Sequence, residues 1–257
     1  MSLFNKALAS LGIGATTVDT NLSKTVYICG EIVDGIVVIK GGNVDQTIES
    51  IYLTLITNYT RESNDRKYED RAVVDQLQLT EPFTIKKDEI REVPFTFTMP
   101  LTTPVTAGKT KVWMKTGLDI KNAVDPTDHD CLTVQPTSLM NHVLEAMNVL
   151  GFTIRKVECE EAPYRFKSKV PFIQEFEFVP VEGPFKGILD EIEIIFFPES
   201  EKSYELLLEV DRKGKNIRSL MAEAVGFDES IVRMRIRTDE LTDFSARLMK
   251  TIEQFSK

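Results

Sequence analysis

Residues 90–121, IREVPFTFTMPLTTPVTAGKTKVWMKTGLDIK, constrain the fold more than any other stretch of this chain. Two runs of strict alternation flank a connection punctuated by proline. In the first run Val93, Phe95, Phe97 and Met99 share one face while Thr96 and Thr98 take the other. In the second, Val112, Met114, Thr116, Leu118 and Ile120 line one face. A period of two places successive side chains on opposite sides of an extended backbone, so both runs read as strands with one face toward a core. Pro100 and Pro104 lack an N–H and fix their own φ, which stops the ladder between the strands.

A chain of 257 residues holds one large domain or two of about 130, and two fits antiparallel sandwiches, which close near ~100 residues. The 40 acidic and 31 basic residues give a net charge of −9, spread over both halves. That balance argues against a nucleic-acid backbone or an anionic membrane as the main partner. Cys29, Cys131 and Cys159 are odd in number and lack C-x-x-C spacing, the pattern of reduced thiols in a cytoplasmic protein rather than of a disulfide framework. The opening MSLFNKALASLGIGA lacks the apolar core of a secretory signal, and no later segment approaches the ~20 apolar residues of a membrane span. The expected location is therefore the cytoplasm, and Asn58-Tyr59-Thr60, a glycosylation match, is read as strand only.

Ser2 opens a predicted helix over residues 2–11, with Leu3, Phe4, Ala7, Leu8 and Leu11 on one stripe and Gly12 at its end. Strand patterns follow at residues 15–22, 31–40, 47–59, 67–79, 83–85, 90–99, 111–121 and 131–134, parted by turn chemistry such as Gly41-Gly42-Asn43. The composition changes at Gln135-Pro136-Thr137-Ser138, after which Leu139, Met140, Val143, Leu144, Met147 and Leu150 recur at helical spacing up to Gly151. This predicts a first sandwich over residues 1–134 and a second over 135–238, opening with helix 139–150. Further strands are predicted at 152–159, 170–179, 187–197, 204–211 and 231–237, with a helix over 215–225 before the last. The tail, 239–257, carries Leu241, Phe244, Leu248, Ile252 and Phe255 on one helical stripe. That stripe either packs on its own domain or serves as a detachable partner-binding helix or dimer seam. The predicted class is all-β: two tandem antiparallel β-sandwiches with a few short helices and a C-terminal amphipathic helix.

Three segments resemble the arrestin-like amino-terminal sandwich: YICGEIVDGIVVIKGG at residues 27–42, the strand with its two prolines at 95–104, and the strand at 111–121 bearing Trp113. The opening FNKALASLGIGATTVDT, the run VWMKTGLDIKNAVDPTDHD at 112–130, and FIQEFEFVP at 172–180 with Gly183-Pro184-Phe185 after it are similar to bacterial sporulation-control proteins of stage zero, M type. The resemblance spans essentially the whole chain. It implies two arrestin-like sandwiches acting without catalysis as a regulator of the commitment to sporulate, and it carries over no catalytic residue.

The densest polar cluster is Asp125-Pro126-Thr127-Asp128-His129-Asp130. It lacks the glycine turn and closing glutamate of a calcium loop, so a turn comes first among the readings, then a polar junction between the domains, and last a weak site for a hard cation. In arrestin-like proteins buried charges hold the two domains in register, so the resemblance points to Asp125, Asp128 and Asp130 for an interdomain junction. Arg212, Lys213, Lys215 and Arg218 precede and open the predicted helix 215–225, where an anion would be favoured; a solvated basic tip is the plainer reading. With His129 and His142 the only histidines, a His-based triad or paired-histidine metal site lacks material. No catalytic residue, metal site or cofactor is predicted. The reading is a non-catalytic adaptor or regulator whose partners are other proteins, with homodimerisation through the C-terminal helix or sheet edges as a further option. Its rivals are a sandwich binding carbohydrate or a lipid headgroup and a hydrolase using paired carboxylates.

Overall fold

The alternation at residues 112–120 becomes a strand whose Val112, Met114, Thr116, Leu118 and Ile120 are each at most 3% exposed. The structure is a computed structural model and describes residues 15–63, 66–121, 123–166, 168–212 and 231–256. In chain order its elements are β1 (Thr17–Leu22), β2 (Val26–Ile28), β3 (Ile32–Lys40), β4 (Gln46–Ser63), β5 (Arg66–Gln78), β6 (Phe83–Ile85), β7 (Ile90–Thr98), β8 (Val112–Ile120) and β9 (Thr127–Gln135). There follow α1 (Ser138–Val149), β10 (Phe152–Glu161), a 3₁₀ turn (Tyr164–Phe166), β11 (Phe172–Pro180), β12 (Leu189–Ser200), β13 (Ser203–Arg212), β14 (Ile231–Arg237) and α2 (Leu241–Phe255). The protein is all-β, as expected, with two helices among the described residues. The predicted helices 2–11 and 215–225 lie outside those residues.

The chain divides into two units. The first comprises Met1–Thr57, Val73–Thr103 and Lys111–Val134; the second comprises Asn58–Ala72, Pro104–Thr110 and Gln135–Lys257. Long strands β4 and β5 each contribute to both units.

In unit 1 the sheet β1-β3-β7 and the sheet β4-β8-β9-β2, with β5 and β6 paired to β4, enclose one core. Val33, Val37 and Ile39 of β3 meet Leu53, Leu55, Met114 and Leu118 there. A bulge at Glu49 sets the phase of β4: Ile48 pairs with Ile120 and Ser50 with Asp119. The extra residue moves the inward face from Ile48 to Ile51, Leu53 and Leu55, so all four are buried although their parity changes. Two features depart from the sequence reading. Residues 26–28 form β2 beside β9, with Tyr27 fully buried. Strand β9 starts at Thr127 rather than at residue 131, because the ladder with β8 continues through Asp128↔Thr116, His129↔Lys115 and Asp130↔Met114. Backbone pairing to a formed strand overrides the local turn preference of the aspartates.

Unit 2 is built on the antiparallel order β14-β13-β12-β11-β10. Among the described residues, α1 and α2 form the layer against one face, packing Leu139, Met140, Val143 and Met147 with Phe176, Phe178, Ile192, Ile194, Leu206 and Leu208. Thr137 caps α1, its Oγ1 accepting from Met140 N at 3.3 Å. The tail helix α2 completes the same core: Phe244, Leu248 and Ile252 are fully buried, and Leu241 packs at its margin. Nothing is described of the Phe255 side chain. Arg247 of α2 donates to the Arg235 carbonyl of β14 at 2.7 Å, occupying a backbone acceptor on the last strand of this order.

Gly151 ends α1 with φ near 88°, and a Cβ there would meet Glu182 O at 2.3 Å. Its own carbonyl accepts from Val181 N and Glu182 N, so the chain at this point has little room to move. Gly151→Ala combines left-handed strain with a backbone clash and is expected to destabilise by about 2 kcal/mol or more, read from the midpoint of urea unfolding.

Candidate functional site

The second face of the unit-2 sheet carries an uncommon arrangement. Alternation in FIQEFEFVP, LDEIEIIFFPES and SYELLLEVDR sends most of the aromatic and aliphatic residues to the α1/α2 side and leaves the acids on the other. Register then aligns them: Lys156 lies opposite Glu177, Glu177 opposite Glu193, and Glu193 opposite Glu209. A neighbouring row sets Glu158 opposite Glu175, and Glu191 sits opposite Asp211. Like charges directly across a ladder repel. Yet Glu160, Glu175, Glu177, Glu193 and Glu209 are all buried, at 4–8% exposure. A small apolar cluster of Ile173, Ile195 and Leu207, joined by Phe166, Phe197 and Ile231, occupies this same face.

Several cations answer part of this charge. The register of β10 shifts between Ile154 and Lys156, a bulge that takes Arg155 out of the ladder. Its Nε donates to Glu177 Oε1 and its Nη2 to Glu191 Oε2. Lys156 pairs with Glu158 and, at 3.9 Å, with Glu160. Lys67 of β5 reaches Glu160 at 3.4 Å, and Arg61 of β4 reaches Glu161 at 3.2 Å.

Among the described residues no ion pair reaches Glu175 or Glu193. Oε2 of each is buried without a hydrogen-bond partner among the described residues, and the two carboxyls lie close enough to share a proton. Burial raises the Glu193 carboxyl to about 9, helped by the neighbouring Glu175. Burial likewise raises Glu175 to about 7, with Glu160 adding repulsion. The two titrate as a pair. Glu160 is also raised, by burial first and then by Glu158, whereas Glu158 is lowered by its bonds to Glu160 and Lys156 despite burial.

The residues singled out from sequence fall elsewhere. Asp125 Oδ1 accepts from Ile120 N at 2.9 Å, closing the β8–β9 connection. Asp128 accepts from Thr20 N through Oδ2 and from His129 N through Oδ1, both at 2.8 Å. Asp130 is raised to about 6 by burial, then by Asp128 and Asp19, and its Oδ2 has no partner among the described residues. These bonds all run within unit 1. Arg212 ends β13, while Lys213, Lys215 and Arg218 lie outside the described residues. Leu241, Phe244, Leu248 and Ile252 are brought together in the unit-2 core.

Sequence reasoning missed the glutamate rows. The signal was present as acids at alternate positions in three consecutive strands: Glu175 and Glu177, Glu191 and Glu193, Glu209 and Asp211. Each strand alone reads as half-exposed, and only pairing stacks the acids. Paired acids of unlike pKa also serve hydrolases. A cavity in unit 1 lined by Leu53, Leu55, Leu77, Phe97 and Met114 holds about 10 Å³, room for one water. Among the described residues no helix is long and apolar enough to cross a membrane.

Fold and side chains together define an all-β protein of two sheet-built units, one of which buries a row of glutamates. The chain belongs to the SpoOM protein family, whose profile matches residues 4–214. It is 43% identical over 243 residues to the sporulation-control protein spo0M of Bacillus subtilis (strain 168), spanning 95% of this chain and 93% of that protein. The crystal structure of Spo0M from Bacillus subtilis superposes with a TM-score of 0.85 at 38% identity, covering 95% of this chain and all of that one. The resemblance read from residues 4–20, 112–130 and 172–180 is thereby borne out.

Proposed function

We propose that this protein controls sporulation without catalysing a reaction, as an arrestin-like adaptor that binds other proteins in the cytoplasm. A regulatory role follows from family membership; the adaptor mechanism is the finer reading. The observation that carries it is identity to a sporulation-control protein along nearly the full length of both chains. The surface agrees with a binding role. On the outer face of β1-β3-β7, Ile32 and Ile90 are 62% and 66% exposed, and Ile36 and Pro94, which face each other in register, lie between them. Complementation tests the reading: in Bacillus subtilis lacking spo0M, this chain is expected to restore spore yield. Substituting Ile32→Asp and Ile90→Asp together is expected to abolish restoration while leaving stability within about 0.5 kcal/mol, since both side chains are already in water. Spore yields no better with the chain than without it would overturn the regulatory reading. Full restoration by the double variant would remove this face from the mechanism.

A further inference from the structure

We propose that the outer face of β8, at Trp113, Lys115 and Gly117, docks an extended acidic segment of another protein. These residues turn away from the unit-1 core, because their neighbours Val112, Met114, Thr116 and Leu118 are the ones buried in it. Register sets Ile56 beside Trp113, His129 beside Lys115 and Tyr52 beside Gly117. The three rows are separated by two strand residues, about 6.7 Å. All lie within unit 1.

Gly117 is the residue that asks for an occupant. A Cβ there would meet nothing within 4 Å, and its φ is not left-handed, so neither crowding nor a turn demands glycine. Glycine inside a strand weakens it, and one without such a local reason marks the close approach of another backbone. Trp113, the single tryptophan of the chain, is half-buried on this outer face, as are Tyr52 and Ile56. Side chains of this kind anchor interfaces. Charge selects the partner. Lys115 has no ion pair among the described residues, and His129 is exposed beside it. The three rows contain no carboxylate, in a chain with 40 acidic residues. Asp119, the next outward residue of β8, lies one row past Gly117. Side chains on one side of an extended peptide recur at the spacing of these rows. An acid therefore meets Lys115 while an aromatic ring two residues away lies over Gly117 beside Tyr52. The proposal deepens the adaptor reading by naming a partner chemistry, and binding alone decides it, whatever the spore yield.

The test selects phage-displayed random peptides of about a dozen residues on the full-length protein. The enriched peptides are expected to be acidic, with an aromatic residue two positions from an acid, and tryptophan-free synthetic versions are expected to change the fluorescence of Trp113. Gly117→Val fills the open floor with a good strand former. It is expected to melt at the wild-type temperature or above it, yet to bind these peptides at least ~10-fold more weakly. Lys115→Glu is expected to lose at least ~10-fold as well, by placing like charge against the acid. Where Gly117→Val fails to fold, Lys115→Glu, on the solvent side of the sheet, decides. No enrichment, enrichment of basic peptides, or undiminished binding in both variants would overturn the site. Binding to phosphatidylglycerol vesicles that Gly117→Val abolishes, with no peptide enriched, would overturn it in favour of an anionic membrane surface.

Discussion

Deleting residues 239–257 is expected to unfold unit 2 rather than release an accessory arm. Phe244, Leu248 and Ile252 are fully buried in the core that also holds Leu139, Val143, Met147 and Phe176. Removing one such side chain costs about 2–5 kcal/mol, and losing three together approaches the ~5–15 kcal/mol that holds a whole domain folded. Phe244 also packs against the His142 ring at 5.9 Å between centroids, and His142 Nε2 lies 3.2 Å from the Leu241 carbonyl, so the first turn of α2 is tied to α1. The single substitution Phe244→Ala is therefore expected to cost about 3–5 kcal/mol in urea unfolding followed by circular dichroism. Deletion should abolish the cooperative transition of unit 2. A truncated chain melting at the full-length temperature would show instead that α2 is detachable, the other reading its apolar stripe allowed.

Stability should fall as pH rises from mildly acid to alkaline, which is unusual for a protein with 40 acidic residues. Glu175 and Glu193 have folded-state values of about 7 and about 9, above the ordinary carboxylate value they regain on unfolding. Between roughly pH 4.5 and those values the folded chain holds protons that the unfolded chain has released. Their contribution is thus complete below about pH 4.5 and lost as pH climbs through 7 and then 9, with a slope of up to about 1.4 kcal/mol per pH unit for each proton. Asp130, raised to about 6, acts in the same direction. The lowered carboxyls Glu31, Asp70, Glu158 and Glu199 act oppositely, adding stability that disappears as pH falls below their usual range. The optimum is expected at about pH 4.5–5, between the range where the lowered carboxyls lose their bonds and the range where the raised ones lose their protons. Stability from urea unfolding should be lower at pH 8.5 than at pH 5.5 by several kcal/mol, and Glu193→Gln should flatten the difference. A wild-type midpoint that rises with pH would show that these carboxyls hold no proton in the fold.

Legibility differed by element. Strands β7 and β8 were readable because alternation over nine residues leaves one apolar face and admits no helical stripe. The same held for α1 and α2, whose apolar residues recur at three and four. The three-residue β2 was not readable, since Val26 and Ile28 face solvent and only Tyr27 enters the core. The start of β9 was misplaced for a related reason: Thr127–Asp130 has turn composition, and it extends only because β8 offers a ladder to pair with. The fate of the α2 stripe was open, because amphipathicity says that a face is covered and not by what.

The glutamate face shows where local pattern stops. The chain's own residues determined that Glu175, Glu177, Glu191, Glu193 and Glu209 point away from the aromatic and aliphatic side of their strands, because a pleat permits no other alternation. Only the tertiary structure decided that these acids stand opposite one another, out of water, with Arg155 turned onto two of them by a bulge. Side-chain direction is set within a few residues of backbone, whereas register, burial and the charge shared across four strands depend on which segments pair, and that is settled by the energy of the whole assembled sheet.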